Sequence, residues 1–269
     1  MATIQLLSDL HLEFLDPYGR KAFLEALDPS GVDILILAGD ICLASQLEQV
    51  LTAFCAVYPQ VVYVPGNHEF YGSTPSKVGG ILWDVEVANK NLTKLNKRLV
   101  EVGDLTFIGD TLWFPKPNPK TLQAGKWQMN DYMKIGDFEP WVYEENALTE
   151  AMLNAFAAKA DVVVTHHLPS KMFVASQYRV PPYNTLNHYF CYDMTQLIEK
   201  AQPPLWVFGH THTRMWGHIG KTLLTCNPKG YPREKDPSAY VEKCLIQVEP
   251  GGGAKFLSDK PGGDTPVTA

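Results

Sequence analysis

No apolar stretch in the chain approaches the roughly 18 consecutive residues that a membrane-crossing helix needs. The N-terminal MATIQLLSDLH has neither the basic n-region nor the sustained apolar h-region of a secretory signal. The expectation is a cytoplasmic protein with no membrane partner. Cysteine is scarce as well. Cys42, Cys55, Cys191, Cys226 and Cys244 are odd in number, far apart and without a C-x-x-C pair, so a disulfide framework and a thiolate zinc knuckle both lack their signature. Positive charge is not in excess either: 23 Lys and Arg stand against 29 Asp and Glu, a net −6, which leaves no global field to hold a nucleic acid or an anionic membrane. No internal repeat is visible.

What the chain does have is length, 269 residues, and apolar content, 45%, sufficient for one large buried core. Short β-branched runs at Ile4–Leu7, Ile34–Ala38, Val61–Val64, Leu105–Ile108, Val162–Thr165 and Leu205–Phe208 alternate with amphipathic stretches at Gln46–Tyr58, Val78–Leu99 and Glu145–Lys159. This alternation predicts an α/β fold with helices covering the sheet faces. Past Gly217 the rhythm changes. Thr222–Cys226 and Val241–Val248 read as strands with no helix between them, which a second sheet packed on the first would explain. Pro115 to Trp141 and Leu168 to Tyr192 are rich in Pro, Asn, Tyr, Trp and Met, and loops of that length inside a compact domain are usually functional. The stretch 250–269, with PGGGAK and PGGDTP, reads as a flexible C-terminal tail, leaving residues 1–249 as the domain.

The strand ends carry the chemistry. "SDLHLE" closes the first run with Asp9 and His11, two apart and hence on one side of an extended segment. "DILILAGD" ends at Asp40, "VPGNHE" supplies Asn67, His68 and Glu69, "VVVTHH" ends in His166 and His167, and "LWVFGHTH" in His210 and His212. Taken singly, each has a plainer explanation: an Asp as helix cap, an Asn as turn residue, a His as a hydrogen-bonded core group. In an open parallel sheet, however, the C-terminal strand ends share one edge, where ligands bind. Five such endings in succession therefore converge.

The ordered series "SDLHLE", "AGD", "PGNHE", "THH" and "GHTH" resembles the calcineurin-like metallophosphoesterase superfamily, whose pattern is D-x-H, G-D, G-N-H-[ED], H and G-H-x-H. "TLWF" at Thr111 and "NPKGY" at Asn227 are similar to small bacterial members. The resemblance implies a four-layer α/β/β/α sandwich of two packed mixed sheets flanked by helices. It also implies a dinuclear centre of two divalent ions, Mn, Fe or Zn. One ion would sit on Asp9, His11 and His212 and the other on Asn67, His166 and His210, with Asp40 between them. His166 is preferred to His167 because the family's ligand directly follows the strand. The implied activity is phosphoester hydrolysis by in-line attack of a metal-bridging hydroxide, with His68 the candidate general acid for the leaving alkoxide, a role that contributes about 10²–10⁴-fold.

Substrate class is read from departures and neighbours. The G-D-x-x-D-R arginine of the protein phosphatases is missing from Gly39-Asp40-Ile41-Cys42-Leu43-Ala44. Lys116, Lys120, Lys126 and Lys134 are diluted by Asp131, Asp137 and Glu139, which disfavours a nucleic-acid track. A small phosphoester with an aromatic or sugar moiety fits better. The pocket-wall candidates are Trp113, Trp127, Tyr132, Tyr178, Arg179, Tyr183 and His188, with Trp113, Tyr132, Arg179 and His188 foremost. Since no basic residue flanks the five motifs, a monoanionic diester is preferred to a dianionic monoester. The alternatives are a phosphomonoesterase or nucleotide pyrophosphatase and, from another class, a non-catalytic scaffold, which the complete set of ligand positions argues against.

Overall fold

The computed structural model describes residues 1–234, 240–263 and 265–268. Its strands are β1 (Ala2–Leu7), β2 (Ile34–Ala38), β3 (Val61–Val64), β4 (Leu92–Lys94), β5 (Val100–Val102), β6 (Leu105–Asp110), β7 (Val162–Thr165), β8 (Leu205–Phe208), β9 (Met215–Ile219), β10 (Thr222–Cys226), β11 (Leu245–Val248) and β12 (Ala254–Phe256). The helices are α1 (Pro17–Glu25), α2 (Leu47–Val57), α3 (Pro75–Ala88), α4 (Pro119–Gln128), α5 (Asn130–Lys134), α6 (Trp141–Phe156) and α7 (Thr195–Ala201). None of them is long and apolar enough to cross a membrane.

The strands form two six-stranded mixed sheets, ordered β12-β11-β1-β2-β3-β4 and β5-β6-β7-β8-β10-β9. The central strands of each run parallel, and antiparallel β11 and β12, or β5 and β9, close the edges. Strand alternation builds the layers. Ile4, Leu6, Ile34, Ile36, Val62 and Val64 face Phe107, Val162, Val164, Leu205 and Val207 of the other sheet. Their neighbours Leu35, Leu37, Val61 and Tyr63 face outward to Val50, Leu51 and Phe54 of α2 and Val78, Leu82 and Val85 of α3. On the second sheet Ile108, Val163, Trp206 and Phe208 pack under Leu153 of α6 and Ile198 of α7. Burial on both faces is why these strands read as unbroken apolar runs, and the result is the expected α/β/β/α sandwich.

Three expectations change. The helix read through Leu99 stops at Ala88: the polar Asn89-Lys90-Asn91 breaks its apolar stripe, and β4 instead pairs with the open edge of β3. The strand expected over Val241–Val248 starts at Leu245, because Val241 N–H and C=O are both taken by the side chain of Asn227. The stretch read as a flexible tail supplies β12. Its PGGG is the turn of a hairpin, with Gly251 at φ 61° and Gly252 N–H donating to Glu249 O. Farther on, Trp216 Nε1–H donates to Gly263 O and Val267 N–H to Trp216 O. Glycine-rich sequence is read as flexibility when no partner is in view, yet β11 offers an edge here.

The two segments without periodicity pack on each other. Within 115–141, Asn118 caps α4 by accepting from Thr121 N–H, and Pro119 starts its first turn. Within 168–192 the chain winds through 3₁₀ turns at Lys171–Phe173, Ser176–Tyr178 and Tyr183–Tyr189. Tyr189 OH joins the two by donating to Thr121 O at 2.7 Å.

Candidate metal centre

Where the parallel strands end, the backbone turns sharply. Asp9, His11, Asp40, His210 and His212 all adopt left-handed φ between 46° and 66°, a conformation costing non-glycine residues on the order of 1–3 kcal/mol each. Cross-loop hydrogen bonds hold them there: Asp9 N–H donates to Gly39 O, His11 N–H to Asp40 O, and Gly230 N–H to Asp9 O, at 2.9–3.0 Å. Glu69, fully buried, accepts from Asp40 N–H, Ile41 N–H and Gly66 N–H at 2.7–3.0 Å and ties two strand ends together. The glycine of "PGN" is required by space. A Cβ on Gly66 would stand 2.2 Å from Asp40 Oδ1.

The side chains so aimed meet in two adjoining sets, Asp9, His11, Asp40 and His212, and Asp40, His166 and His210, whose ligand atoms within each set lie within 4.8 Å of one another. In the first, His11 Nε2 is 2.9 Å from His212 Nε2, which is 3.5 Å from Asp9 Oδ1. In the second, His166 Nε2 is 3.4 Å from Asp40 Oδ1, 3.2 Å from His210 Nδ1 and 3.2 Å from Asn67 Oδ1. On three of the four imidazoles the outward nitrogen is engaged. His11 Nδ1 donates to Glu13, His166 Nδ1 to Ala38 O and His212 Nδ1 to Glu234, which fixes the tautomers with Nε2 lone pairs turned inward. Two inward lone pairs at 2.9 Å repel unless a cation or proton lies between them. Asp9 Oδ2, buried, has no partner among the described residues. Carboxylates, imidazoles and one carboxamide oxygen without a thiolate are the donors of a divalent, dinuclear metal site, and the residues fit one.

Burial works against charge on the rings of His166, His167 and His68. At His166 the adjacent Asp40 outweighs it and the ring is pushed up to about 9. His167 lies behind, against Trp113 and Thr111 O, and is pushed down to about 3 by burial and by its neighbour His166. It belongs to neither donor set. His68 lies beside both sets: its Nδ1 donates to Glu13 Oε1 at 2.7 Å, and its Nε2 is 3.0 Å from Tyr231 OH and 3.9 Å from Asp40 Oδ2. Burial lowers it, but Asp40 and Glu13 prevail and hold it above the usual histidine range.

Several site residues were not legible as such. Asp131, inside the first insertion, is fully buried and accepts from Asn67 Nδ2 at 2.9 Å and from Tyr71 OH at 2.7 Å. Asn67 Nδ2 also donates to Tyr71 OH at 2.8 Å. With both amide protons claimed, Oδ1 has one orientation left, toward His166. Glu13 carried a signal, being two residues beyond His11 in a D-x-H-x-E series. Asp131, Tyr71, Tyr231 and Glu234 carried little, because only folding brings them to the strand ends.

A cavity of about 350 Å³ opens on the cluster, walled by Met129, Leu168, Val174, Leu186 and Phe190 and by Tyr178 and Tyr183 at its rim. The four foremost pocket candidates line other places. Trp113 is core, bordering a separate hollow where Lys97 is paired with Asp110 and Glu145. Tyr132 bonds Tyr143 and packs edge-on to Phe138 and Tyr189. Arg179 donates to Val174 O and Met172 O, and His188 to Pro115 O, both on the outer side of the second insertion. The physical reason is that packing in the core, within one insertion or between the two already occupies these groups. Trp127 is exposed.

Compared with known proteins, residues 2–214 match the family model described as calcineurin-like phosphoesterase. An uncharacterized protein of Acanthamoeba polyphaga mimivirus is 27% identical over 277 residues, covering 90% of this chain and 97% of that one. The crystal structure of a phosphopantetheinyl hydrolase from Mycobacterium tuberculosis superposes with a TM-score of 0.69 at 18% identity, covering 86% of this chain and 90% of that one. A dimetal phosphatase from Danio rerio gives 0.52 at 13%, with 96% and 98% covered. At these identities the two structures speak for the fold alone.

Proposed function

The chain belongs to the calcineurin-like phosphoesterase family, the metal-dependent phosphoric ester hydrolases, and on that footing we propose that it is a dinuclear phosphodiesterase acting on a small substrate. The observation that carries the proposal is the pair of donor sets sharing Asp40. Asp9, His11 and His212 would hold one ion, Asn67, His166 and His210 the other, and Asp40 both, with Mn, Fe or Zn suited to these donors. Bound there, the ion pair would supply Lewis acidity toward a phosphoryl oxygen and a water of lowered pKa.

The chain's own groups handle the leaving side. Glu13 holds His68 Nδ1–H, so Nε2 faces the cleft, where Tyr231 OH now bonds it. As the P–O bond breaks, the Nε2 proton passes to the departing ester oxygen, which leaves as an alcohol. Arriving substrate displaces the Tyr231 hydroxyl from that nitrogen. The diester choice follows from charge. Among the described residues no Lys or Arg lines the cavity: Lys134 lies over the Tyr71 ring, Lys229 over Phe23, and Arg179 is bound to backbone. The second charge of a monoester dianion has no cationic side chain to meet.

The test is metal analysis of the purified chain with kcat/KM for bis(p-nitrophenyl) phosphate and p-nitrophenyl phosphate, each corrected for its uncatalysed rate. Two ions per chain and a diester advantage are expected. A monoester advantage overturns the diester choice alone, whereas a metal-loaded chain inert to both esters overturns the enzyme reading.

A further inference from the structure

The cavity beside the metal-ligand cluster differs from it in chemistry. Its apolar walls start directly against the ligands, since the Phe190 ring lies over His210 with centroids 4.8 Å apart and planes tilted 33°. From there Leu168 and Leu186 continue one wall, and buried Met129, at the junction of α4 and α5, faces them. Both walls come from the two insertions. The volume, about 350 Å³, is at the small end of ligand sites and suits one compact substituent rather than a polymer. Two amides, Gln128 and Asn130, stand at the edge with no hydrogen bond to other described residues. They are free to meet the polar rim of a flat group.

We propose that this cavity receives an uncharged, ring-bearing substituent of the phosphoester, so that the substrate's negative charge resides on the reacting phosphate alone. The inference deepens the phosphoesterase reading and rests on it. A ring entering here exchanges water for leucine, methionine and phenylalanine surface, and the unpaired amides read its edge. A second anionic group would lose its hydration against Phe190 and Leu168, with the carboxylate Glu234 in the lining and no Lys or Arg in the described lining. An unpaired buried charge is strongly disfavoured. The two insertions therefore select the substrate, by what they bury rather than by a cation.

The experiment uses the metal-loaded full chain and p-nitrophenyl phosphodiesters that share a leaving group and differ only in the other substituent: methyl, phenyl and 4-carboxyphenyl. After correction for uncatalysed rates, kcat/KM for phenyl exceeds that for methyl by about tenfold or more, and 4-carboxyphenyl falls to the methyl level or below. Calorimetry with O-phenyl and O-methyl methylphosphonate gives the same order in Kd. Leu186→Lys, in the wall, removes the phenyl advantage over methyl and raises the 4-carboxyphenyl ester relative to the phenyl ester. Tyr183→Ala, at the exposed rim, lowers the phenyl advantage without burden on folding. Phenyl and methyl esters turned over equally and phosphonates bound equally overturn the cavity proposal while leaving the phosphoesterase reading intact. No turnover of any ester overturns both.

Discussion

Two carboxylates that coordinate nothing in the proposed centre govern it at the scale of single residues. Glu13 Oε1 accepts from both His68 Nδ1 and His11 Nδ1, so one side chain fixes the proposed acid and a proposed ligand. Glu13→Gln keeps an acceptor oxygen and removes the charge that favours protonated His68. We expect about a tenfold fall in kcat for esters of alkyl alcohols, little change for p-nitrophenyl esters, whose phenolates leave unaided, and unaltered metal content. A leaving-group series with metal analysis checks this, and equal losses across the series would point to a purely structural role. Asp131 sets the orientation of Asn67. Asp131→Leu removes the acceptor that claims the amide protons and should weaken one of the two ions by about 10–100-fold in calorimetric titration, while Asp131→Asn, which keeps an oxygen there, restores most of the affinity. The sequence announced Asn67 through G-N-H-E. It gave no hint of Asp131, 64 positions away, because an amide's orientation depends on partners that adjoin only after folding.

At the scale of elements, β12 and its hairpin show how a glycine-rich segment acquires structure from an edge. The ladder from Ile246 to Phe256, the Leu257 N–H to Leu245 O bond, and the contacts of Trp216 with Gly263 and Val267 dock 254–263 and 265–267 across both sheets. A chain truncated after Glu249 loses these and exposes the edge of β11. At about 1 kcal/mol for each hydrogen bond, urea unfolding should show a loss on the order of 2–4 kcal/mol, with metal binding retained because no candidate ligand lies there. An unchanged midpoint would show that the segment contributes nothing to stability. The helices were legible where an apolar stripe ran along them, as at Leu47–Val57 with Leu47, Val50, Leu51 and Phe54. α4 was missed because its only buried residue is Gly125, and a helix without an apolar stripe has no period to read.

For the whole molecule, the proposed ions join the folding balance. They neutralise Asp9 and Asp40, separate the facing lone pairs of His11 and His212, and reward five left-handed residues that otherwise strain the strand ends. Each ion present at a hundred times its Kd adds about 2.7 kcal/mol to stability, so saturation of both sites adds about 5 kcal/mol. For a chain of this size that corresponds to about 10–20 °C in Tm. Scanning calorimetry before and after chelation should find this difference, and Asp40→Asn should abolish most of it. A chelated protein that melts with the loaded one would contradict a metal centre at the strand ends.

The sequence by itself determined the alternation of strands and helices and the polar residues that close the strands. Apolar runs buried on both faces can only be interior strands, and polar residues at their C-terminal ends must share an edge once the strands run parallel, so Asp9, Asp40, Asn67, His166 and His210 were placed by local pattern. The tertiary structure alone decided what surrounds them. Trp113, Tyr132, Arg179 and His188 looked like pocket walls because aromatic and cationic groups in or beside long irregular segments suit that role, yet Trp113 is core, Arg179 braces its own segment, and Tyr132 and His188 join the two insertions. Met129, Leu186 and Phe190, unremarked in sequence, form the wall instead. The difference is one of range. A strand end inherits its direction from its own residues, whereas a cavity is the space left between segments far apart in the chain, and no stretch of sequence encodes a space.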